Sequence, residues 1–353
     1  MRADRGATAH LEVAILKVLL TGATGYIGRY LLNRLVEDQS FEKIYVVSRS
    51  REVFPAKKVE VVKGDLAVAG TLNYIKSPID AVVHLAGEYN FSGTDSSNYK
   101  SNVIATLNLV QWMRRDHERA VLYYASSYAA LAGQWHNNES EIPIDILPPT
   151  SIPYAYTKAI ADQVVSQSGL NAAIYRFGSV ICDSRDGQFD KIDGPYYILD
   201  ALEKITRFKL IKNNLGALPF HGNPKSLLPL VPVDSAVEVI IKGLKQHKPE
   251  LVKIYGVFNS TSLPVENMLD EILKFFEMNP KVVYLSSISN LMATIQNRLL
   301  SIPPNLIDFC YSTSKLHNQG FIKTYGDIIP SFDSYKKQFF NGYSEFKLGL
   351  RNE

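Results

Sequence analysis

The stretch Thr21-Gly22-Ala23-Thr24-Gly25-Tyr26-Ile27-Gly28, directly after the apolar run Val18-Leu19-Leu20, constrains this chain more than any other. Its pattern is that of a strand, a glycine-rich turn and the first turn of a helix. Gly22 permits the tight turn, Gly25 lets a pyrophosphate approach the backbone, and Gly28 lets the helix pack closely on the sheet. The pyrophosphate of a dinucleotide would then lie over unpaired N–H groups at the positive end of the helix. An ordinary glycine-rich turn is the plainer alternative. It is disfavoured because the motif opens a βα unit near the N-terminus.

The alternation continues. Strands are predicted at Leu16–Leu20, Lys43–Ser48, Val59–Val62, Ala81–Leu85, Ala120–Ala125 and Ala172–Phe177, with helices at Tyr26–Glu37, Val103–Arg115 and Tyr156–Gln167. Repeated units of this length imply an α/β fold with a doubly wound parallel sheet, which binds ligands beyond the carboxyl ends of its strands. After Gly178 the pattern changes. Short strands are predicted at Leu227–Val233 and Lys253–Phe258. Helices are predicted at Tyr197–Phe208, Ser235–Leu244, Pro264–Phe276, Asn290–Leu300, Asn305–Cys310 and Ser331–Phe340, with an irregular segment around Asn213–Asn223. The expected division is a cofactor domain at 15–180, to which 228–260 returns, and a smaller, mainly helical substrate part at 181–227 and 261–353.

Composition narrows the function. A formal charge of +3 over 353 residues gives no nucleic-acid footprint. The two cysteines, Cys182 and Cys310, lie far apart, and no His/Cys cluster has metal-ligand spacing, so no metal is expected. A reducing, cytoplasmic setting fits this cysteine usage. No apolar stretch approaches the roughly 20 residues of a membrane span, and Met1–His10 does not read as a signal peptide. The sequon Asn259-Ser260-Thr261 stands alone in this respect. The 20 tyrosines could line a pocket or build a core.

Tyr154-Ala155-Tyr156-Thr157-Lys158 sets a phenol and an ammonium four residues apart, on one helix face. A phenol of ordinary pKa near 10 is a poor acid–base group at neutral pH, and a nearby cation favours its ionised form. The pair suits carbonyl reduction, with hydride going to carbon and the Tyr154 proton to oxygen. Tyr156 is the competing tyrosine but lacks a lysine at +4. Ser126-Ser127 closes a strand upstream, where a hydroxyl could hold the substrate oxygen or cap a turn. Cys182 reads as a small core hydrophobe and His84 as a backbone support, while His221 lies in a Gly/Pro-rich loop.

These motifs, in this order, resemble the extended short-chain dehydrogenase/reductases, from residue 16 to about 260. Thr21–Gly28 resembles their Thr-Gly-x-x-Gly-x-x-Gly fingerprint, Gly64-Asp65-Leu66 the segment whose aspartate holds adenine, and His84-Leu85-Ala86-Gly87 the loop beneath the cofactor. Asn102 matches a structural asparagine that kinks a helix and supports a water relay to the lysine. Ser127, Tyr154 and Lys158 match the catalytic trio. Arg176-Phe177-Gly178 resembles an Arg-Pro strand end with Phe177 in place of proline, and Leu230–Asp234 the Val-x-Asp return segment. The resemblance implies a Rossmann domain. It places Thr21, Gly22, Thr24–Gly28, Asp65, Leu66, Leu85, Ala86, Gly87, Tyr154, Lys158 and Phe177 at the cofactor.

Strand two ends Ser48-Arg49-Ser50-Arg51 with no acid for ribose hydroxyls, and Ser48, Arg49 and Arg51 suit a 2′-phosphate, so NADP(H) is the expected cofactor. Solvated surface arginines are the alternative. Within the family, the opening residues and Ser-Arg look most like the thioester-reductase and fatty-acyl-reductase branch, and Asp193-Gly194-Pro195-Tyr196-Tyr197 falls where that branch begins a substrate-side helix. This implies a small-molecule or carrier-bound acyl substrate, with Lys204, Arg207, Lys209 and Lys212 near the mouth. A lysine run of this kind is equally the solvated face of a helix. Sugar-nucleotide epimerisation or dehydration, a ketone or hydroxysteroid dehydrogenase, and a non-catalytic NADP-binding regulator are the alternatives, and a homodimer is compatible with all of them. Arg49→Ala is expected to weaken NADPH binding about tenfold while sparing NADH. Fluorescence titration with both nucleotides measures this, and equal losses would remove the 2′-phosphate assignment.

Overall fold

The computed structural model describes residues 15–49, 56–89, 95–134, 139–207, 215–285 and 317–352. Chain order is β1 (Leu16–Thr21), α1 (Tyr26–Glu37), β2 (Phe41–Ser48), β3 (Val59–Lys63), β4 (Ala81–His84), α2 (Asp95–Asn98), α3 (Ala105–Asp116), β5 (Val121–Ser127), α4 (Pro153–Ser166) and β6 (Ala172–Phe177). Then come β7 (Ser179–Ile181), α5 (Tyr196–Thr206), β8 (Ala217–His221), β9 (Leu227–Leu228), β10 (Leu230–Pro232), α6 (Val233–Gln246), β11 (Lys253–Val257), β12 (Leu263–Pro264), α7 (Val265–Phe275), β13 (Lys281–Leu285), α8 (Gln319–Tyr325) and α9 (Phe332–Asn352).

Seven strands form one sheet in the order β11-β6-β5-β4-β1-β2-β3, and every pairing within it is parallel. Both faces are covered, which is why its strands read as unbroken apolar runs. In β1, Val18 and Leu20 face one core with Leu31 and Leu35 of α1, Val237 and Ile240 of α6, and Phe321 and Tyr325 of α8. Leu19 faces the other, with Leu109 and Met113 of α3 and Ala161 and Val165 of α4. A third core joins α5, α7 and α9 around Cys182, Tyr196, Met268, Ile272 and Phe339. There the Tyr196 ring lies 4.0 Å from Phe189 and 4.6 Å from Phe339, both stacked. Many of the tyrosines therefore build cores. Cys182 is a buried apolar filler, as expected.

The differences from expectation are local. α4 begins at Pro153, earlier than predicted, because proline at the first helical position is preorganised for it. The helix predicted at 103–115 is preceded by α2 and a π-helical stretch, Tyr99–Ile104. The segment expected to be irregular contains β8, which pairs in parallel with β13, a strand whose partner is remote in sequence. α9 continues well past Phe340. The helices predicted at Asn290–Leu300 and Asn305–Cys310 lie outside the described residues, as do Arg51, Lys209 and Lys212.

One buried ion pair fastens the sheet to α4. The Arg176 guanidinium on β6 donates Nε and Nη2 to the two Asp162 oxygens, both at 2.9 Å, with both side chains essentially inaccessible. Its Nη1 donates to the Ser140 and Ile142 carbonyls at 2.8 and 2.6 Å. The Ser126 hydroxyl donates to the same carboxylate at 2.8 Å. Asp162→Asn is expected to cost about 3–5 kcal/mol, because it leaves a buried guanidinium without its counter-charge. Urea unfolding measures this, and a loss below 1 kcal/mol would show that the pair is dispensable.

Candidate active site

The glycine-rich turn is built by contact as well as by sequence. Gly22 has φ +73°, and a Cβ there would lie 2.6 Å from the Ala86 nitrogen. A Cβ on Gly28 would lie 2.0 Å from the Gly22 carbonyl oxygen, so α1 sits directly on the turn. The first turn of α1 has no side-chain cap and no acidic residue, and Thr24 and Gly25 are exposed. This leaves unpaired N–H groups and a positive helix end facing outward, the donor set a pyrophosphate needs. The Tyr26 hydroxyl lies 3.0 and 3.1 Å from the Ile181 and Gln188 carbonyls, and Arg29 pairs with Asp190. Both tie α1 to the 181–190 segment. Ile27 packs partly buried against the sheet core.

Behind the turn runs a buried polar chain. The Thr21 hydroxyl accepts from Ala86 N–H at 3.2 Å and meets His84 Nδ1 at 2.7 Å. His84 Nε2 meets the Thr106 hydroxyl at 3.0 Å, and that hydroxyl donates to the Asn102 carbonyl at 2.6 Å. The single Thr106 proton goes to the Asn102 carbonyl, so Thr106 accepts from Nε2–H, and a neutral ring then accepts at Nδ1 from Thr21. Burial keeps the ring neutral. Burial, with the Lys158 charge nearby, pushes its pKa down to about 3.

Toward the adenosine side, Ser48 is buried at the end of β2 and Arg49 is exposed. Asp65 accepts from Ala67 N–H at 2.9 Å and pairs with Lys100 at 3.3 Å. The Ala67 amide, Lys100 and the Arg49 charge together hold its carboxyl below the usual range despite partial burial. Leu66 is buried, and its carbonyl accepts from Asn108 at 2.8 Å.

Asn102 lies in the π-helical stretch. Its Oδ1 accepts from Glu88 N–H at 2.8 Å, and its Nδ2 donates to the Glu88 carbonyl at 3.1 Å and the Thr157 hydroxyl at 3.0 Å. It thus bolts the loop Leu85–Glu88 to α4. A Cβ on Gly87 would come 4.0 Å from Lys158 Nζ, so loop, asparagine and lysine converge. Lys158 Nζ donates to the Ala125 carbonyl at 2.6 Å and lies 4.8 Å from the Tyr124 ring centroid. Burial lowers its pKa to about 8, against the Asp162 charge.

Tyr154 is half-buried beside Ser127. Burial pushes the phenol up to about 12, a hydrogen bond from Ser127 draws it down, and the Asp193 charge pushes it up. The Ser127 hydroxyl also accepts from Ala129 N–H at 3.2 Å. Among the described residues the direct pull on the phenol comes from Ser127. The Lys158 ammonium is directed at Ala125. Phe177, buried on β6, stands in register with Ser127. Tyr156 instead lines a cavity of about 260 Å³ with Ser96, Tyr99, Thr150, Pro153 and Thr157. His221 is half-buried on β8.

Sequence reading missed Tyr89, whose ring meets Tyr154 edge-on at 4.7 Å and whose hydroxyl donates to Asp193 at 2.7 Å. The signal was slight, an aromatic two residues beyond the His-Leu-Ala-Gly loop. It also missed Thr106 and Thr157, whose hydroxyls carry the buried chain. Asp162, four residues past Lys158 on the same helix face, was the legible one.

The sequence description of the NAD dependent epimerase/dehydratase family matches residues 18–257. The chain belongs to that family. Its sheet is the Rossmann sheet of the extended short-chain dehydrogenase/reductases. The fold is shared with the terminal R domain from the myxalamid PKS-NRPS biosynthetic pathway, at TM-score 0.69 and 20% identity over 95% of each chain. It is also shared with UDP-glucuronic acid 4-epimerase from Bacillus cereus, in complex with UDP-glucuronic acid and NAD, at TM-score 0.66 and 14% identity over 94% of this chain and 100% of that one. A relative from Arabidopsis thaliana, the trifunctional UDP-glucose 4,6-dehydratase/UDP-4-keto-6-deoxy-D-glucose 3,5-epimerase/UDP-4-keto-L-rhamnose-reductase RHM3, is 27% identical over 282 residues, 74% of this chain and 40% of that protein. The chain spans between 4% and 40% of the length of such curated relatives. Among the described residues no helix is long and apolar enough to cross a membrane, and no group of three or more His, Cys, Asp or Glu could hold a metal ion.

His84 gives a pH signature. The unfolded imidazole takes a proton near pH 6.5, while the folded one resists down to about 3. The unfolded state therefore binds more protons between those values, and stability falls with pH below 6.5. Its slope is about 1.4 kcal/mol per unit from this residue. The stability of His84→Asn relative to the parent, followed by urea unfolding from pH 7 to 4.5, should show the parent losing its advantage. A constant difference would mean that folded His84 takes its proton at the same pH as the unfolded imidazole.

Proposed function

We propose that the chain interconverts a carbonyl and a carbinol by hydride transfer, with Tyr154 as the group that gives or takes the proton. The observation that carries this reading is the half-buried Tyr154 phenol, hydrogen-bonded by Ser127, on the helix that also carries Lys158. A nicotinamide dinucleotide, when bound, supplies the hydride donor or acceptor. Gly25 would leave room for its pyrophosphate, Thr24 and the amides of Tyr26–Gly28 would hold it, Asp65 and Leu66 would hold the adenine, and Leu85–Gly87 would line the site beneath. Ser48 and Arg49, with Arg51, favour a 2′-phosphate and hence NADPH, whereas the structurally similar Bacillus cereus epimerase holds NAD. In this reading residues 15–180 with 228–260 hold the cofactor, and 181–227 with 261–353 enclose the substrate.

Ser127 orients the substrate oxygen toward Tyr154. The phenol stays protonated across the physiological range, which suits it to donate as negative charge develops on that oxygen. Lys158, held by the Ala125 carbonyl, keeps a donor at the cofactor ribose. Asn102 holds the loop and α4 at fixed separation, so the amides of Leu85–Gly87 and the Lys158 ammonium are preorganised.

Two substrate classes follow. A nucleotide sugar oxidised or reduced at a ring carbon is supported by the family description and by the Arabidopsis thaliana relative, which matches 74% of the chain. An acyl thioester reduced to aldehyde or alcohol is supported by the R-domain fold and by the thioester-reductase-like segments around Arg49 and Asp193. The family match favours the first. Purified protein should be tested with NADPH and NADH against UDP- and dTDP-sugars, ketones and acyl-CoA thioesters, with products read by mass spectrometry. Tyr154→Phe is expected to bind nucleotide within about twofold of the parent and to lose about a hundredfold or more of turnover. Retained turnover would remove Tyr154 as the acid.

A further inference from the structure

The segment Asp190–Pro195 precedes the substrate-side helix α5, yet it reaches the tyrosine at the centre of the reading above. Asp193 Oδ1 accepts from the Tyr89 hydroxyl and from Gly194 N–H, both at 2.7 Å. Lys191 Nζ lies 3.4 Å from Asp193 Oδ2 and 4.5 Å from the centroid of the Tyr89 ring. That ring stands edge-on to Tyr154 at 4.7 Å, at an interplanar angle of 78°. The loop after β4, the start of α4 and the segment before α5 therefore meet at one aromatic pair. Gly194, at φ +51°, turns the chain there.

We propose that Tyr89 and Asp193 are positioning residues through which the substrate-side segment Asp190–Pro195 sets the charge environment of Tyr154. The inference rests on Tyr154 being the proton-transferring group. The groups facing that phenol are known from each element. Ser127 on β5 hydrogen-bonds it, Tyr124 on β5 and Tyr89 after β4 lie within electrostatic range, and Asp193 contributes the negative charge. Lys158, on the same helix, is directed at Ala125. Around Asp193 stand Tyr89, Lys191, Tyr154 and Tyr197. A carboxylate beside a phenol disfavours the phenolate. Asp193 therefore keeps Tyr154 protonated while the segment is in place, and its displacement by a substrate would make the phenol a readier proton donor. Tyr89 transmits position, because its hydroxyl fixes the carboxylate and its ring fixes the distance to Tyr154.

The test needs no substrate. The full chain is labelled with [ζ-¹³C]tyrosine, and the Tyr154 resonance is identified by its loss in Tyr154→Phe. Titration from pH 8 to 11.5 should leave Tyr154 largely protonated in the parent. Asp193→Asn, which retains the acceptor oxygen and removes the charge, should bring its ionisation down by about one pH unit. Tyr89→Phe, which retains the ring, should shift it the same way. The double variant should titrate with Asp193→Asn, because both changes break one path. An unmoved Tyr154 titration in Asp193→Asn, or additive shifts in the double variant, would overturn the proposal. Failure of the functional reading appears elsewhere, as turnover surviving Tyr154→Phe, and would overturn the proposal with it.

Discussion

Asp162 and Arg176 hold together the elements that everything else in the site depends on. Asp162 belongs to α4, one helical turn after Lys158. Arg176 belongs to β6, and Ser126, which shares the carboxylate, adjoins Ser127 on β5. The spare Arg176 donor reaches the 140–142 segment. Two charges removed from water are tolerated because nearly every donor of the guanidinium that the geometry reaches has an acceptor. The result is a fixed distance between the helix bearing Tyr154 and the strand end bearing Ser127. The proton transfer proposed for Tyr154 depends on just such a distance.

A second set of contacts fixes the other wall. Thr21, His84, Thr106 and Asn102 form an unbroken chain from the end of β1 through β4 into the π-helical stretch. Asn102 extends it to Glu88 and Thr157. Thr21 and His84 thus lie behind the nucleotide turn and act through their neighbours. The chain keeps its direction because His84 is neutral, with one nitrogen donating and one accepting.

The cofactor half was legible because its rules are local. Apolar runs covered on two faces, a turn that only glycine fits, and helices of about three turns each announce themselves in a short window. Thus α1 is found at its predicted bounds. Ser127, Tyr154 and Lys158 stand out by spacing and Asn102 by resemblance alone, and the structure brings the four together. What lay hidden depends on long-range pairing. β8 exists because β13 lies beside it. Tyr89 gains its place from Asp193, more than a hundred residues away. Lys158 donates a hydrogen bond to the Ala125 carbonyl, a partner no helix-face argument names.

The π-helical stretch Tyr99–Ile104 carries a mechanical implication. A turn with an extra residue advances the phase of everything after it, so α2 and α3 do not share one straight face. Ser97 and Ser101 reach Glu88, Asn102 turns to Thr157, and Thr106 meets His84. Side chains in and beside this stretch thereby meet three neighbours, the loop after β4, α4 and the end of β4. The irregular turn works as a gear offset. It lets one continuous rod engage the loop, α4 and the sheet at once.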